Sequence, residues 1–294
     1  MKKYGFYTAL GTPLTDEGKV IKSALKAHIE QQITAGASGL LLMGSMGIES
    51  CIRHSEYGEA VDAALEAVKG KRPLYIGAMD NSIARVKERL EIIGEGRRID
   101  GIVVTMPYYS AVCEADAIYW LNSVASISPY PVYVYDLPAV TRFKINMRVI
   151  DAVIDNPNIK GMKSPDWELI LAIKRKYPER EFESLYSGLD SFDHAARLGI
   201  GKQLDGMFAC TPRNAVEMYK CLNSGDFIGA RRHLDNILLL RDTMIANGLM
   251  RCFTVCMNLI GIEGCFYQDY TAPIDVGHAI SLMRAMLERI GELE

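Results

Sequence analysis

The sequence predicts an α/β fold, a (β/α)8 TIM barrel with a C-terminal helical extension, from the order of its apolar segments. Eight short apolar runs alternate with segments of helical period up to residue 225, and beyond it the pattern is only helical. No Gly-, Ser- or Pro-rich linker separates the two parts. We therefore predict a catalytic barrel over 1–225 and a helical extension packed on it over 226–294.

The runs predicted to form strands are rich in β-branched and aromatic residues. They are GFYTAL (5–10), GLLLMG (39–44), PLYIGA (73–78), GIVVTM (101–106), PVYVYD (131–136), IKGMK (159–163), ESLYSG (183–188) and DGMFA (205–209). They are almost continuously apolar, as in strands buried on both faces of a parallel sheet. An open doubly wound sheet is the alternative, but the Gly-rich phosphate turn that usually follows its first strand is missing.

The segments predicted to form helices repeat apolar residues every three or four positions. Within the barrel, the clearest examples are SEYGEAVDAALEAVKG (55–70) and SIARVKERLEIIG (82–94). In the extension, three further segments show the same period: 226–247, 252–262 and 276–291.

Composition limits the function classes. The 294 residues are 49% hydrophobic with a net charge of −3, which gives no electrostatic reason to expect nucleic acid or an anionic membrane as partner. The apolar runs are far shorter than the roughly 20 residues of a membrane span, and the start has no signal-peptide pattern. Seven cysteines without a C-x-x-C pair indicate reduced thiols in the cytoplasm. Cys252 and Cys256 are predicted to pack in the core rather than bind metal, because the five histidines form no matching cluster.

The working face of such a barrel is the carboxyl end of its strands. The residues predicted there include one lysine, three tyrosines and small hydroxyls, without a His/carboxylate metal cluster or a Ser-His-Asp set: Thr8 to Thr12, Gly44 to Gly47, Tyr108, Tyr109, Tyr135, Asp136, Lys163, Ser187, Gly188 and Asp190. A lysine among tyrosines suits covalent amine chemistry on a ketone, in which the amine attacks the carbonyl and a phenol moves protons. Burial of a lysine helps, because it disfavours the charged form.

In order and spacing, these motifs resemble the dihydrodipicolinate synthase / N-acetylneuraminate lyase family of pyruvate-dependent class I aldolases. The resemblance runs from YTALGTPLTDEGKV to YTAPI, nearly the whole chain. GSMGIES corresponds to the family's GTTGE-type turn, TMPYYS to Pro-Tyr-Tyr, and YDLPAVT to Tyr-Asn-x-Pro. IKGMKS corresponds to the Schiff-base lysine motif, and YSGLD to the Ser-Gly-Asp-Asp segment.

The resemblance implies a role for each matching residue. Lys163 would be the Schiff-base lysine, Tyr135 the general acid/base, and Ser45 a member of the proton relay or a carboxylate ligand. Tyr109 matches the tyrosine that reaches into the neighbouring subunit's site, and the family's homotetramer, a dimer of dimers, is implied with it. Substrate binding would fall to Met46, Gly47, Thr141, Gly188 and Asp190. No metal, nucleotide or flavin cofactor is implied.

The chain departs from the family pattern in its first turn. Met46 replaces the second hydroxyl of that turn, although its backbone N–H could still bind a carboxylate. Losing a hydrogen bond to a charged group costs roughly 1.5–3 kcal/mol, so 2-oxo acid binding would weaken or the pocket would prefer another substrate. The family's glutamate is Ile48 here, with Glu49 one place late.

Other departures concern the aldehyde half of the substrate. Val140 stands where dihydrodipicolinate synthases carry an arginine, and Arg142 lies two residues on. Thr141 in Pro-Ala-x-Thr resembles lyases of keto-deoxy sugar acids, where it would meet a polyol. Ser191 replaces a glutamate that sialic acid lyases use, which argues for a smaller 2-keto-3-deoxy acid.

The sequence thus predicts a cytoplasmic lyase that forms a Schiff base between Lys163 and pyruvate or a 2-keto-3-deoxy acid, and makes or cleaves a C–C bond. Two alternatives stay open. One is dihydrodipicolinate synthase itself, with aspartate semialdehyde as the second substrate and Arg142 in place of the missing arginine. The other is a family member that has lost catalysis and only binds a 2-oxo acid, which Met46 and Ile48 would explain.

Overall fold

Eight parallel strands close into a barrel in the computed structural model, which describes residues 4–294. Each strand pairs with the next along the chain, and the last pairs with the first. The strands are β1 (Gly5–Ala9), β2 (Gly39–Leu42), β3 (Leu74–Gly77), β4 (Gly101–Thr105), β5 (Val132–Tyr135), β6 (Ile159–Ser164), β7 (Glu183–Tyr186) and β8 (Lys202–Asp205). The predicted fold class is confirmed.

Helices follow the strands and cover the outside of the barrel. They are α1 (Lys22–Ala35), α2 (His54–Val68), α3 (Ile83–Ile93), α4 (Glu114–Ile127), α5 (Pro138–Thr141), α6 (Met147–Val153), α7 (Trp167–Lys176), α8 (Phe192–Arg197) and α9 (Pro212–Ser224). Helices α10 (Phe227–Ala246), α11 (Leu249–Leu259) and α12 (Val276–Arg289) come last, with α10 packed mainly along α9. Between residues 4 and 294, no helix is long and apolar enough to cross a membrane.

The eighth strand was predicted in the wrong place. DGMFA (205–209) contains the last residue of β8 and a 3-10 turn, Met207–Ala209, whereas β8 itself is KQLD. Three of its four residues are polar, so the segment has no apolar pattern. In the fold, Lys202 forms an ion pair with Glu183, and Gln203 is buried. The hydrophobic pattern of KQLD therefore gave no strand signal.

Tyrosines fill the amino end of the barrel interior. Tyr7, Tyr75 and Tyr133 come from β1, β3 and β5, and they lie over glycines at the inward positions of the intervening strands, Gly39, Gly101 and Gly161. A Cβ at Gly39 would lie 2.4 Å from the Tyr7 ring, so only glycine leaves room for this layer. The rings of Tyr75 and Tyr133 meet edge to face with centroids 4.8 Å apart.

A half-buried carboxylate completes this layer. The Tyr75 and Tyr133 hydroxyls donate to Glu183 Oε2 at 2.8 Å and 3.0 Å, and Lys202 pairs with the other oxygen. Burial, with the charge of Glu183 nearby, raises the pKa of both phenols, so they stay protonated as donors. Tyrosines and an ion pair therefore close the amino end of the barrel.

The main core lies between the barrel and its surrounding helices. Cys252 and Cys256 are both buried on α11, in agreement with core packing, and all seven cysteines are free thiols. Near the end of the chain, the Glu292 carboxylate accepts hydrogen bonds from the backbone N–H groups of Arg213 and Asn214. The last residues thereby cap α9 at the end nearest to the carboxyl edge of the barrel.

Candidate active site

Lys163 and Tyr135 face each other inside the barrel. They are register partners on the neighbouring strands β6 and β5, and both are buried. The Lys163 Nζ lies 3.6 Å from the centroid of the Tyr135 ring. Lys163 is 5% exposed, and no carboxylate among residues 4–294 forms an ion pair with it. A buried lysine without an ion-pair partner is costly to maintain, which favours a chemical role over a structural one.

Ser45 joins this pair from the turn after β2. Its Oγ lies 3.3 Å from the Tyr135 hydroxyl, within hydrogen-bond distance. Three residues predicted to share a site, two from strands and one from a turn, thus bring a serine hydroxyl, a phenol and an amine together at the carboxyl end of the barrel. This arrangement can pass a proton between a substrate near Nζ and the Ser45 hydroxyl.

The turn that carries Ser45 is held in an unusual backbone conformation. Met43 and Ile48 bracket it with positive φ of 55° and 48°. A buried β-branched residue in the left-handed region is strained, and such strain persists only where the surroundings enforce it. The Thr12 hydroxyl donates to the Gly47 carbonyl at 2.8 Å and fixes the turn to the end of β1. Within the described chain, the N–H groups of Met46 and Gly47 donate to no protein acceptor.

Glu49, displaced by one position in the sequence, lies under this turn. It is buried, and its Oε1 lies 2.8 Å from Arg89 Nε of α3. Burial raises the pKa of Glu49 to about 8, although the Arg89 guanidinium opposes that rise. Arg89 also lies 3.3 Å from Asp80, so a buried charge cluster supports the Ser45 turn from behind.

Asp136 anchors the backbone of the candidate lysine. Its N–H donates to the Lys163 carbonyl at 2.8 Å, while its fully buried carboxylate accepts from Ser164 Oγ at 2.8 Å and from the Ile145 N–H at 3.1 Å. Lys144 forms an ion pair with the same carboxylate and with Asp166. A charged network thus replaces the neutral asparagine of the Tyr-Asn-x-Pro pattern.

Tyr108 and Tyr109 are placed by a side chain from another loop. The Asn81 Oδ1 accepts from both of their N–H groups, at 2.9 Å and 2.8 Å. Tyr108 is half-buried near the charge cluster of Glu49 and Asp80, and burial raises its pKa. Tyr109 is 91% exposed to solvent.

The loop after β5 uses its hydroxyl internally. Thr141 is buried, and its Oγ1 lies 3.1 Å from the carbonyls of both Leu137 and Phe143. Val140 is 48% exposed. Arg142 is also exposed, adopts a positive φ of 56°, and forms no ion pair with any residue in 4–294.

Asp190 is engaged by the C-terminal helices. Both of its carboxylate oxygens accept from Arg241 of α10 at 2.6 Å, and Arg241 pairs in addition with Asp242. The Arg241 guanidinium holds the pKa of Asp190 below its usual range. Just before Asp190, a Cβ at Gly188 would lie 2.2 Å from the Tyr186 hydroxyl, so the position requires glycine.

Comparison with known proteins identifies the family. The family model described as the Dihydrodipicolinate synthetase family matches residues 2–273. The chain belongs to this family. Its members are carbon–carbon lyases of the Schiff-base aldolase type, and the chain is an enzyme of that class.

Individual relatives are distant but cover the full length. A protein of Acidiphilium cryptum named 4-hydroxy-tetrahydrodipicolinate synthase is 24% identical over 96% of this chain and 97% of its own. Among solved structures, the prophage protein YagE from E. coli K12, in complex with pyruvate, matches with a TM-score of 0.87 and 23% identity, covering 98% of both chains. N-acetylneuraminate lyase from Mycoplasma synoviae matches with a TM-score of 0.84 and 17% identity, again covering 98% of both chains. At these identities the structural matches show the shared fold.

Against this family background, sequence analysis missed residues around the lysine. Thr105 ends β4 as the register partner of Tyr135, and within 4–294 its buried hydroxyl has no hydrogen-bond partner. A polar residue that ends an apolar strand was the available signal. Arg241 and Asn81 gave no signal, since each acts on a segment far from it in sequence.

Two apolar side chains cover the inner barrel cluster that includes Tyr135. Met46 and Leu137 are half-buried and pack on that cluster from the turns after β2 and β5. Met46 reaches the turn after β8, where a Cβ at Gly206 would lie 2.6 Å from its Cγ. The mouth of the barrel above the lysine is thus lined in part by a thioether and an isobutyl group. No group of three or more His, Cys, Asp or Glu able to hold a metal ion is found in residues 4–294.

Proposed function

We propose that Lys163 forms a Schiff base with pyruvate, or with the ketone of a 2-keto-3-deoxy acid, and that the enzyme makes or cleaves the adjoining C–C bond. The observation that carries the proposal is the arrangement of Ser45, Tyr135 and Lys163 at the carboxyl end of the barrel. The Ser45 Oγ lies 3.3 Å from the Tyr135 hydroxyl, and the Lys163 Nζ lies 3.6 Å from the centroid of the Tyr135 ring. Family membership supports the same chemistry.

In the synthetic direction, the neutral Lys163 amine attacks the keto carbon of pyruvate, and water leaves to give an iminium. The Tyr135 phenol gives its proton to the departing hydroxyl, which leaves as water. The iminium withdraws electrons, so the resulting Tyr135 phenolate can take a methyl proton and leave an enamine. The enamine carbon then attacks an aldehyde, and the Tyr135 phenol returns its proton to the oxygen that was the aldehyde carbonyl. Water hydrolyses the iminium and frees Lys163. Cleavage of a 4-hydroxy-2-oxo acid follows the same steps in reverse.

The turn that carries Ser45 would hold the carboxylate of pyruvate. The N–H groups of Met46 and Gly47 are free within the described chain and belong to a turn fixed by Thr12. Two backbone donors suffice to orient a carboxylate, so Met46 does not prevent 2-oxo acid binding. Gly188 and Asp190 would lie on the opposite side of the mouth, beyond β7.

Borohydride reduction in the presence of pyruvate, followed by peptide mass mapping, tests the proposal. We expect a reduced pyruvyl adduct on the peptide that contains Lys163 and no adduct in the Lys163→Ala variant. Lys160→Ala is the matched control, because Lys160 lies on the same strand but is exposed. An adduct on another lysine, or none with either pyruvate or a 2-keto-3-deoxy acid, would contradict the proposal and favour a binding protein without turnover.

Tyr135→Phe separates binding from proton transfer. The adduct on Lys163 should still form, because phenylalanine keeps the aromatic ring next to the amine. Aldol turnover should fall by about 10²–10⁴-fold, because the phenol that transfers protons is gone. Full activity of this variant would remove Tyr135 from the mechanism.

A second candidate is dihydrodipicolinate synthase, favoured by the names of the curated relatives. Its aldehyde, aspartate semialdehyde, carries a carboxylate for which Arg142 would have to provide the cation. Efficient condensation with aspartate semialdehyde, lost in Arg142→Ala, would support this candidate. Unchanged kinetics in that variant would exclude the carboxylate role of Arg142.

We also propose the homotetramer, a dimer of dimers, with Tyr109 reaching into a neighbouring subunit's site. An aromatic side chain that is 91% exposed on a loop fixed by Asn81 is well suited to cross an interface. Sedimentation should give a tetramer, and Tyr109→Ala should lower turnover without abolishing the pyruvyl adduct. The seven free thiols favour a reducing compartment, so we propose the cytoplasm as the location.

A further inference from the structure

The polar groups that could bind the aldehyde half of a substrate are already engaged within the protein. Asp190 gives both carboxylate oxygens to Arg241 at 2.6 Å, so a sugar hydroxyl would have to share them with that guanidinium. The Thr141 hydroxyl is buried in its own loop and faces the Leu137 and Phe143 carbonyls. Ser191, in the place of a glutamate, lies 2.6 Å from the Tyr186 hydroxyl. A polyol would have to compete with these contacts or share their acceptors.

A second carboxylate on the substrate meets a similar obstacle. Arg241, the cation beside Asp190, is shared between Asp190 and Asp242, so the three side chains together carry one net negative charge. Val140 occupies the family's arginine position and is apolar. An anionic aldehyde would therefore gain little from Arg241, while Arg142, which has no ion-pair partner in residues 4–294, is exposed to solvent in the loop after β5.

What remains at the mouth is apolar. Met46 and Leu137 rest on the inner barrel cluster beside Tyr135, each with part of its side chain exposed. Met46 spans the gap to Gly206, where the absence of a side chain makes room for the thioether. An unbranched Met side chain adapts to irregular apolar shapes, so these two residues form a pliable apolar wall above the lysine.

Resting on the proposed Schiff-base function, we infer that the aldehyde half of the substrate is uncharged and apolar, an alkyl or aryl aldehyde rather than a polyol or a semialdehyde with a carboxylate. The corresponding cleavage substrate is a 4-hydroxy-2-oxo acid with an apolar tail. Its one hydroxyl, at the carbon where the bond is made, exchanges its proton with Tyr135. The buried Thr105 hydroxyl, in register with Tyr135 on the neighbouring strand, has no hydrogen-bond partner in residues 4–294 and is a further candidate donor.

Three aldehydes of equal carbon number test this inference: butanal, erythrose and succinic semialdehyde, each condensed with pyruvate. We expect kcat/KM for butanal to exceed that of the other two by at least about tenfold, the discrimination that one or two apolar contacts provide. Equal or faster reaction of erythrose or succinic semialdehyde would overturn the inference. Borohydride trapping with pyruvate alone is run in parallel. An adduct on Lys163 together with no butanal turnover would refute the apolar substrate and leave the Schiff base standing, whereas no adduct would refute both.

Variants test whether the apolar wall formed by Met46 and Leu137 sets the preference for an apolar aldehyde. Met46→Thr should shift the ratio of butanal to erythrose turnover towards erythrose by about fivefold or more, because a methyl and a hydroxyl replace the thioether arm. Met147→Thr is the matched control, since Met147 is half-buried at the start of α6, where it packs on the outer core. If both variants leave the ratio unchanged, the wall does not set specificity and the inference fails.

Discussion

Replacing Lys144 by methionine should destabilise the protein, because the buried carboxylate of Asp136 would lose its ion-pair partner. Lys144 provides the positive charge for Asp136, whose side chain is completely buried behind the Lys163 backbone. Methionine keeps the aliphatic stem of the lysine and removes only its charge. Asp136 would then retain two neutral donors, Ser164 Oγ and the Ile145 N–H.

The magnitude follows from burial. Leaving one member of a buried ion pair without its partner costs about 3–5 kcal/mol. Lys144 is 44% exposed, so water already screens the pair, and about half of that cost is the better figure. We therefore expect Lys144→Met to lower the free energy of unfolding by about 2 kcal/mol.

Urea unfolding at a fixed subunit concentration measures this loss. Lys220→Met is the control, because the ion pair of Lys220 with Glu217 lies on the exposed face of α9 and should matter by less than about 0.5 kcal/mol. Adding Asp136→Asn to Lys144→Met removes the orphaned charge and should restore at least half of the loss. The reasoning is refuted if Lys144→Met behaves like the control, or if the double variant is no more stable than the single one.

Three further predictions concern pH and packing. Because burial raises the pKa of Glu49 to about 8, the native state keeps a proton that the unfolded chain releases near its ordinary pKa. The free energy of unfolding should thus fall as the pH rises from about 5 to about 8, by at most about 1.4 kcal/mol per pH unit from this group. In the Glu49→Gln variant, the midpoint of urea unfolding should depend less on pH over that range. His28 is buried with neither ring nitrogen paired in the described chain, and burial lowers its pKa to about 3. Stability from this group is lost as pH falls below about 6.5, so His28→Leu should reduce the Tm difference between pH 8 and pH 5, and an undiminished difference would contradict it. Gly161→Ala places a Cβ 2.3 Å from the Glu183 carbonyl oxygen and should lower the free energy of unfolding by more than about 3 kcal/mol. The control Gly58→Ala, on helix α2, should change it by less than about 1 kcal/mol, and Tm values measure both effects.

Most of the barrel could be predicted from sequence because seven strands are largely buried and contain short, mainly apolar runs. β8 escaped because its inward Lys202 is neutralised by Glu183, and that partner lies on another strand. The pattern of one segment cannot show a charge that is balanced by another. The same limit explains why the tyrosine layer at the amino end was not foreseen, although each of its tyrosines lies within a predicted strand.

The site was predictable where a residue's role depends on its place at a strand end. Lys163, Tyr135 and Ser45 came from the order of motifs, and the structure brings them together. The pairing of Asp190 with Arg241 could not be read from the chain, because 51 residues separate the partners and α10 had no assigned position on the barrel. The sequence therefore indicated which side chains are present at the candidate site, whereas only the fold shows which of them are already paired with other residues.

The tyrosine layer at the amino end has a kinetic consequence. With that end closed, reactants and products of the proposed reaction pass through the mouth at the carboxyl end. On the proposed mechanism the ketone partner bonds covalently to Lys163, so it enters first and leaves last, while the aldehyde enters and leaves above it. Initial-rate studies of cleavage should accordingly show pyruvate as a competitive product inhibitor and the aldehyde as a noncompetitive one.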